Sequence, residues 1–217
     1  RQYATPLGTP QFVILSFDGS KSMPMLRETL EFQRQMEKKS IPVRFTYFIN
    51  GAYFLTKDVS NVYEAPRQKI GFSNIGFSES ALDVATRVKT FNDAFRAGNE
   101  IASHSVGHFN GSRWTYDEWV REFESLNSII VGMKDLYPQL AIETPLFNPD
   151  TIAGFRAPEL GVNKNLYTAL ADKNFLYDSS GAGLSGHWPE KDKGGLWRIP
   201  IGTIKMKKTN FALAMDY

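Results

Sequence analysis

Two imidazoles stand four positions apart in His104-Ser105-Val106-Gly107-His108, directly after the strand-like run Glu100-Ile101-Ala102-Ser103. Neutral imidazole nitrogens are good ligands for divalent metals, and two in one short turn can grip the same ion. The chain holds only three histidines, so two within five residues is a concentration that chance seldom produces. A histidine pair can also cap a turn or sit hydrogen-bonded at a surface, so the rest of the chain has to decide. Asp18, Arg156 and Asp178 each close or follow a strand-like run, at Phe12-Val13-Ile14-Leu15-Ser16-Phe17, Thr151-Ile152-Ala153-Gly154-Phe155 and Leu176-Tyr177. Singly, each reads equally well as a turn residue or a surface charge. Jointly, they place titratable groups at the exits of four strands, and in parallel α/β folds the ligand site lies at the carboxyl ends of the strands.

The elements that must position these groups alternate between strands and amphipathic helices. The nearly continuous apolar run from Phe12 to Phe17 predicts a strand covered on both faces. Helical spacing of Leu26, Leu30 and Met36 follows, up to the break at Pro42, and Arg44-Phe45-Thr46-Tyr47-Phe48-Ile49 predicts a second strand ending at the turn signal Asn50-Gly51. The excursion from Ala52 to Gly98 reads as an insertion, loop-like in its first half. Its second half puts Ala81, Val84, Val88, Phe91 and Phe95 on one helical face, with Gly98 as C-cap. It would be a lid over the site or a surface insertion. Thr115 and Glu118 form a capping-box pattern ahead of the stripe Trp119, Phe123, Leu126, Ile130 and Met133, predicting the longest helix, which stops at Pro138. A helix carrying Leu166, Leu170 and Phe175 and short strands at 176–178 and 196–201 complete the pattern, and Phe211 to Met215 reads as one more strand. The fold class is α/β with a parallel sheet, doubly wound or a barrel, in a single domain over residues 1–217.

Composition bounds the function. With 42% hydrophobic residues in 217, the chain can bury one sizeable core. A net charge of +2, without a basic block beyond Lys205-Met206-Lys207-Lys208, gives no footprint for nucleic acid. No apolar run approaches the roughly 20 residues of a membrane span, and Arg1-Gln2-Tyr3-Ala4 lacks a signal-peptide core, although an exported protein would already have lost its leader. Zero cysteines exclude disulfides and thiolate ligands.

At this point the chain resembles the polysaccharide deacetylases of carbohydrate esterase family 4, and in look the chitin-deacetylase-like members. Ser16-Phe17-Asp18-Gly19-Ser20 stands against the family's T-F-D-D-G, His104 to His108 against H-[ST]-x-x-H, Arg156-Ala157-Pro158-Glu159 against R-x-P-Y, and Asp178-Ser179-Ser180, more weakly, against the aspartate before a tryptophan-containing loop. Order and spacing fit from about Phe12 to Ile201. The resemblance implies a distorted (β/α) barrel and a metal-dependent hydrolase removing acetyl groups from N-acetylated glycans such as chitin or peptidoglycan. His104, His108 and an aspartate, Asp18, would hold a divalent ion, zinc first, with cobalt, nickel or copper also admitted by such ligands. Asp18 would be the general base and Arg156 would orient it. The Glu159 N–H would hold the developing oxyanion, Asp178 would support the site, Ser105 would brace the histidine turn by hydrogen bonding, and Trp188 would contact the sugar.

Two departures stand out. Gly19 replaces the second of the family's paired aspartates, so in the ungapped register the base remains and the metal-binding carboxylate is gone; shifted by one residue, Asp18 becomes the ligand and the base is missing. Glu159, standing where the family has tyrosine, is a conceivable substitute. The late L-x-H histidine is also absent, and His187, in Gly186-His187-Trp188-Pro189, reads as a loop residue. A chain stopping at Asp216-Tyr217 in a strand-like run suggests part of a longer protein that carries the missing acid. The alternative to the enzyme is therefore a catalytically impaired glycan-binding domain on the same fold. The expected partner is the N-acetylated polysaccharide, met by a monomer exported to the periplasm or outside the cell.

Overall fold

A computed structural model describes residues 13–183, 188–206 and 209–212, the side chains of 204–206 and 209–212 excepted. Its principal sheet has the order β1-β2-β3-β4-β5-β8-β7, built from β1 (Ser16–Gly19), β2 (Thr46–Ile49), β3 (Glu100–Ser103), β4 (Gly154–Phe155), β5 (Tyr177–Asp178), β8 (Trp197–Arg198) and β7 (Glu190–Lys191). All neighbours are parallel except the β7–β8 pair. This is the expected α/β architecture. A smaller sheet, β10-β9-β6, joins β6 (Ala182–Gly183), β9 (Ile201–Met206) and β10 (Thr209–Ala212). The end of the predicted strand 211–215, and His187, lie outside the described residues.

The central strands are apolar because both faces are covered: Tyr47, Phe48, Ile49, Ile101 and Ala102 are all buried. The first strand departs from expectation. Val13, Ile14 and Leu15 precede β1 and are exposed, as is Phe17, because among the described residues β1 is an edge of the sheet with only β2 beside it. Its apolar run is not matched by burial on both faces.

Three helices of equal length carry the rest, so the predicted longest one is not longer than the others. In α1 (Met23–Lys38), the Ser22 side chain caps the N-terminus, and Leu26 and Leu30 face the core. In α2 (Ala81–Arg96), Val84, Val88 and Phe91 are fully buried, and Gly98 at φ +80° lets Asn99 N–H reach back to the Ala94 carbonyl, closing the helix as its glycine predicted. In α3 (Tyr116–Val131), Thr115 and Glu118 make both bonds of the capping box. The stripe does not run unbroken to Pro138: Gly132 ends α3, and a short α4 (Met133–Leu136) follows. The last helix, α5 (Lys164–Asp172), ends before Phe175.

The first half of the 52–98 excursion is not wholly loop. It forms two 3₁₀ turns, Gly51–Phe54 and Lys57–Val62, and Ala52, Phe54, Leu55, Tyr63 and Ala65 belong to the core. Glycine and proline read as loop signals here, whereas the apolar residues between them are what pack. No helix among the described residues is long and apolar enough to cross a membrane.

Candidate functional site

The register brings one row of residues level across the sheet: Gly19 with Ile49, Ile49 with Ser103, Ser103 with Phe155, Phe155 with Asp178, and Asp178 with Arg198. The ladder continues one step further. His104 N–H donates to the Ile49 carbonyl at 2.8 Å, Arg156 N–H to Ser103 at 3.0 Å and Ser179 N–H to Phe155 at 2.8 Å. Asn50, His104, Arg156 and Ser179 thus stand side by side just past the strand ends, and in-register parallel neighbours send their side chains to one face.

His104 and His108 do meet, with ring centroids 5.0 Å apart at an interplanar angle of 67°. The Arg156 carbonyl lies 2.7 Å from His104 Nδ1 and can only accept, so Nδ1 carries the proton and Nε2 is left with its lone pair. Burial lowers the His104 pKa to about 4, outweighing the upward pull of the Asp18 charge. The imidazole is therefore neutral at ordinary pH, the form that ligates. His108 is half-buried.

The turn between them is held by its backbone rather than by Ser105. Ser105 and His108 both have positive φ, 62° and 58°, a conformation costly for residues other than glycine. Gly51 N–H donates to the Ser105 carbonyl at 3.0 Å, Ala52 N–H to Val106 at 3.1 Å and Asn74 N–H to Gly107 at 2.9 Å. The Asn74 side chain donates to the His108 carbonyl at 3.1 Å. From below, Glu122 accepts from the Val106 N–H at 2.9 Å, and the Tyr63 hydroxyl accepts from the Gly107 N–H at 3.1 Å. The expected brace is absent: Ser105 Oγ is buried and has no hydrogen-bond partner among the described residues.

Arg156 is spread over four partners. It donates to Asp18 Oδ1 at 2.6 Å, to Ser16 Oγ at 3.0 Å, and to the Ser179 carbonyl and hydroxyl at 3.1 and 2.9 Å, with its guanidinium 4.2 Å from the centroid of the Phe48 ring. Asp178 is buried and already satisfied by Ser180, at 2.5 Å, and by Arg198, at 2.9 Å. Burial raises its pKa, against the opposing pull of Ser180 and Arg198. With Trp188 and Glu190, Asp178 and Arg198 line a cavity of about 250 Å³ at the ends of β5 and β8. Trp188 is largely exposed there, while Phe109 and Trp114 are buried packing residues. Glu159, at φ +53°, points its carboxylate at the Asn110 amide, 3.3 Å away. Arg198, Tyr63, Glu122 and Asn50 carried no sequence signal as site residues.

Whether these groups suit a divalent ion can be judged from the donor set. Two imidazoles at one turn, that of His104 kept neutral by burial, fit such an ion. The full set of Asp18, His104 and His108 is not assembled, however: among the described residues no three His, Cys, Asp or Glu side chains are grouped so that they could hold one. The Asp18 carboxylate is engaged by Arg156 instead.

No protein-family model matches the chain. Over 100 residues it is 29% identical to chitin deacetylase 1 of Bombyx mori, a stretch that spans 44% of this chain and 16% of that protein. Among solved structures, a Mycobacterium smegmatis protein assigned as a polysaccharide deacetylase superposes with a TM-score of 0.50 at 17% identity, over 87% of this chain and 57% of that one. A family 4 carbohydrate esterase from Streptomyces lividans gives 0.47 at 19% identity, over 80% of this chain and 64% of that one. The chain thus spans little more than half of the Mycobacterium structure it matches, and shares its fold.

Proposed function

We propose that this polysaccharide-deacetylase-like chain is a metal-dependent hydrolase that removes acetyl groups from N-acetylated glycans. The observation that carries the reading is the neutral His104 imidazole, its Nε2 lone pair free, facing His108 and standing beside Arg156, which holds the Asp18 carboxylate.

A divalent ion on the two imidazoles would lower the pKa of water and polarise the acetyl carbonyl. Asp18, held at the end of β1 by Arg156, is the carboxylate that would take the water proton, and Arg156 fixes its orientation through a charge-assisted bond. The Arg156 carbonyl keeps His104 in the ligating tautomer, so one residue orders both halves of the site. Glu159 N–H is the candidate oxyanion donor, Asp178 supports the rim through Arg198, and Trp188 offers a face to a sugar ring. The substrates that suit this chemistry are chitin-type chains and peptidoglycan, which places the protein outside the cytoplasm; a monomer acting on a polymer is the simplest assembly.

The test is acetate release from chitin oligomers and peptidoglycan by protein stripped of metal and resupplied with zinc or cobalt. Metal-dependent release that disappears in His104→Ala supports the reading, whereas release by His104→Ala would sink it. A second reading, a glycan-binding domain without catalysis, is favoured by Gly19 and by the engagement of Asp18 with Arg156. It predicts glycan affinity with no acetate under any metal condition.

A further inference from the structure

Asn50 follows β2 directly and is completely buried, yet its Oδ1 has no hydrogen-bond partner among the described residues. The amide is not free to turn. Its Nδ2 donates to the His104 carbonyl oxygen, and a flipped amide would set two oxygens against each other, so Oδ1 must point away from that carbonyl. It lies towards the end of β1: a Cβ built on Gly19 would find Asn50 Oδ1 at 3.9 Å and, among the described residues beyond its chain neighbours, no other atom within 4 Å. A fixed, buried, unsatisfied oxygen therefore lies at the end of β2 on the side of Gly19. Beside it in the same row is His104, half of an imidazole pair that no acidic residue among the described residues completes.

We propose that Asn50 is the third protein ligand of the histidine pair, its Oδ1 supplying the oxygen that no carboxylate of the described chain brings there. This rests on the reading of His104 and His108 as metal ligands. A neutral amide oxygen is a weaker ligand than a carboxylate and suits hard divalent ions such as Mn²⁺ best, but it supplies an oxygen donor beside the imidazoles and leaves Asp18 to Arg156. It also gives Gly19 a meaning: the absence of a side chain there leaves the Oδ1 approach open. Ser105 Oγ, the other unpartnered oxygen near the turn, is a rotatable hydroxyl with no such fixed direction.

The test is titration of metal-free protein with Zn²⁺, alone and in competition with a chelator, for wild type, Asn50→Asp and His104→Ala, each checked for folding by circular dichroism. The two roles open to Asn50 predict opposite signs. If Oδ1 is a ligand, Asn50→Asp exchanges a neutral oxygen for an anionic one and tightens binding by about 10-fold or more, the scale on which changes close to a metal act. If the amide serves only as a donor to the His104 carbonyl, Asn50→Asp loses that donor and binding weakens or stays unchanged, which overturns the proposal. Should Asn50→Asp not fold, the Asn50 Cγ resonance of wild type decides: it shifts on Zn²⁺ addition if the amide oxygen coordinates, and a resonance that stays in place overturns the proposal. His104→Ala separates the underlying reading, because unchanged Zn²⁺ affinity in that variant removes the histidine site itself.

Discussion

The Tyr63 hydroxyl lies 3.0 Å from both carboxylate oxygens of Glu122 and accepts the Gly107 N–H from its other side. Two residues from distant parts of the chain thereby form a cradle beneath the histidine turn. Glu122 is completely buried, and burial raises its pKa to about 7 despite the bonds from Val106 and Tyr63. The folded pKa is above that of an unfolded glutamate, about 4.3, so folding retains a proton between these values. The stability from Glu122 is full below about pH 4.3, is lost as pH rises to about 7, and is constant above that. Urea unfolding at pH 5 and pH 8 should show wild type losing on the order of a few kcal/mol relative to Glu122→Gln over that interval. Parallel pH profiles for the two proteins would refute the assignment.

Arg156 should tolerate no replacement. Lysine has a single ammonium point where Asp18, Ser16 and Ser179 are held by a planar fork. Arg156→Lys is expected to lower acetate release by about 100-fold, the scale on which small misplacements act. Arg156→Ala should also destabilise by on the order of 3 kcal/mol, because Asp18 loses its partner. Kinetics and thermal unfolding of both variants check this, and near-wild-type release by the lysine variant would contradict it.

Gly154 is crowded rather than flexible. A Cβ there would lie 2.1 Å from the Tyr177 ring, and Tyr177 donates to Glu100 at 2.8 Å, linking β5 to β3 across β4. Gly154→Ala must displace that ring and should destabilise by about 1–3 kcal/mol through overpacking. The same displacement disturbs β4 immediately before Arg156, so acetate release should fall together with the unfolding midpoint. A midpoint unchanged by the substitution would show that the ring yields without cost.

The Thr115 cap is separable from the site. Its side chain accepts the Glu118 N–H at 3.3 Å, and Thr115→Ala should cost about 1 kcal/mol in urea unfolding. Glu118 also pairs bidentately with Arg67, and that hydrogen-bonded pairing lowers its pKa to about 2. Its stabilisation is therefore present above about pH 4.3 and lost as pH falls towards 2, the reverse of the Glu122 window. Unfolding of Glu118→Gln at pH 3 and pH 7 should differ from wild type mainly at pH 7.

What was legible in the sequence was whatever repeats locally. The α3 capping box, the stripes of α2 and of α3 as far as Ile130, and the glycine closing α2 are set by neighbours within a few residues, and each is found where the spacing put it. Placement in the sheet is not local. Nothing in the Phe12 to Phe17 run says that its strand is an edge, and nothing between Ala52 and Ala65 separates a loop from a buried 3₁₀ segment. At the site, His104, His108, Asp18 and Arg156 were visible as residue types at strand exits. The cradle of Glu122 and Tyr63 was not, since α3's periodic stripe hides a buried carboxylate among its polar positions and the tyrosine sits in a segment whose glycines and prolines read as loop. Asn50 read only as a turn former.

The left-handed backbone at Ser105 and His108 decides which substitutions there can be interpreted. Asparagine and aspartate settle readily at positive φ, whereas valine and isoleucine resist it. His108→Asn removes the imidazole from an intact turn and reads chemistry, while His108→Val also fights the bonds from Asn74 and reads conformation. Among exchanges at this turn, a polar one is the gentler perturbation, contrary to the usual preference for apolar replacements at half-buried positions.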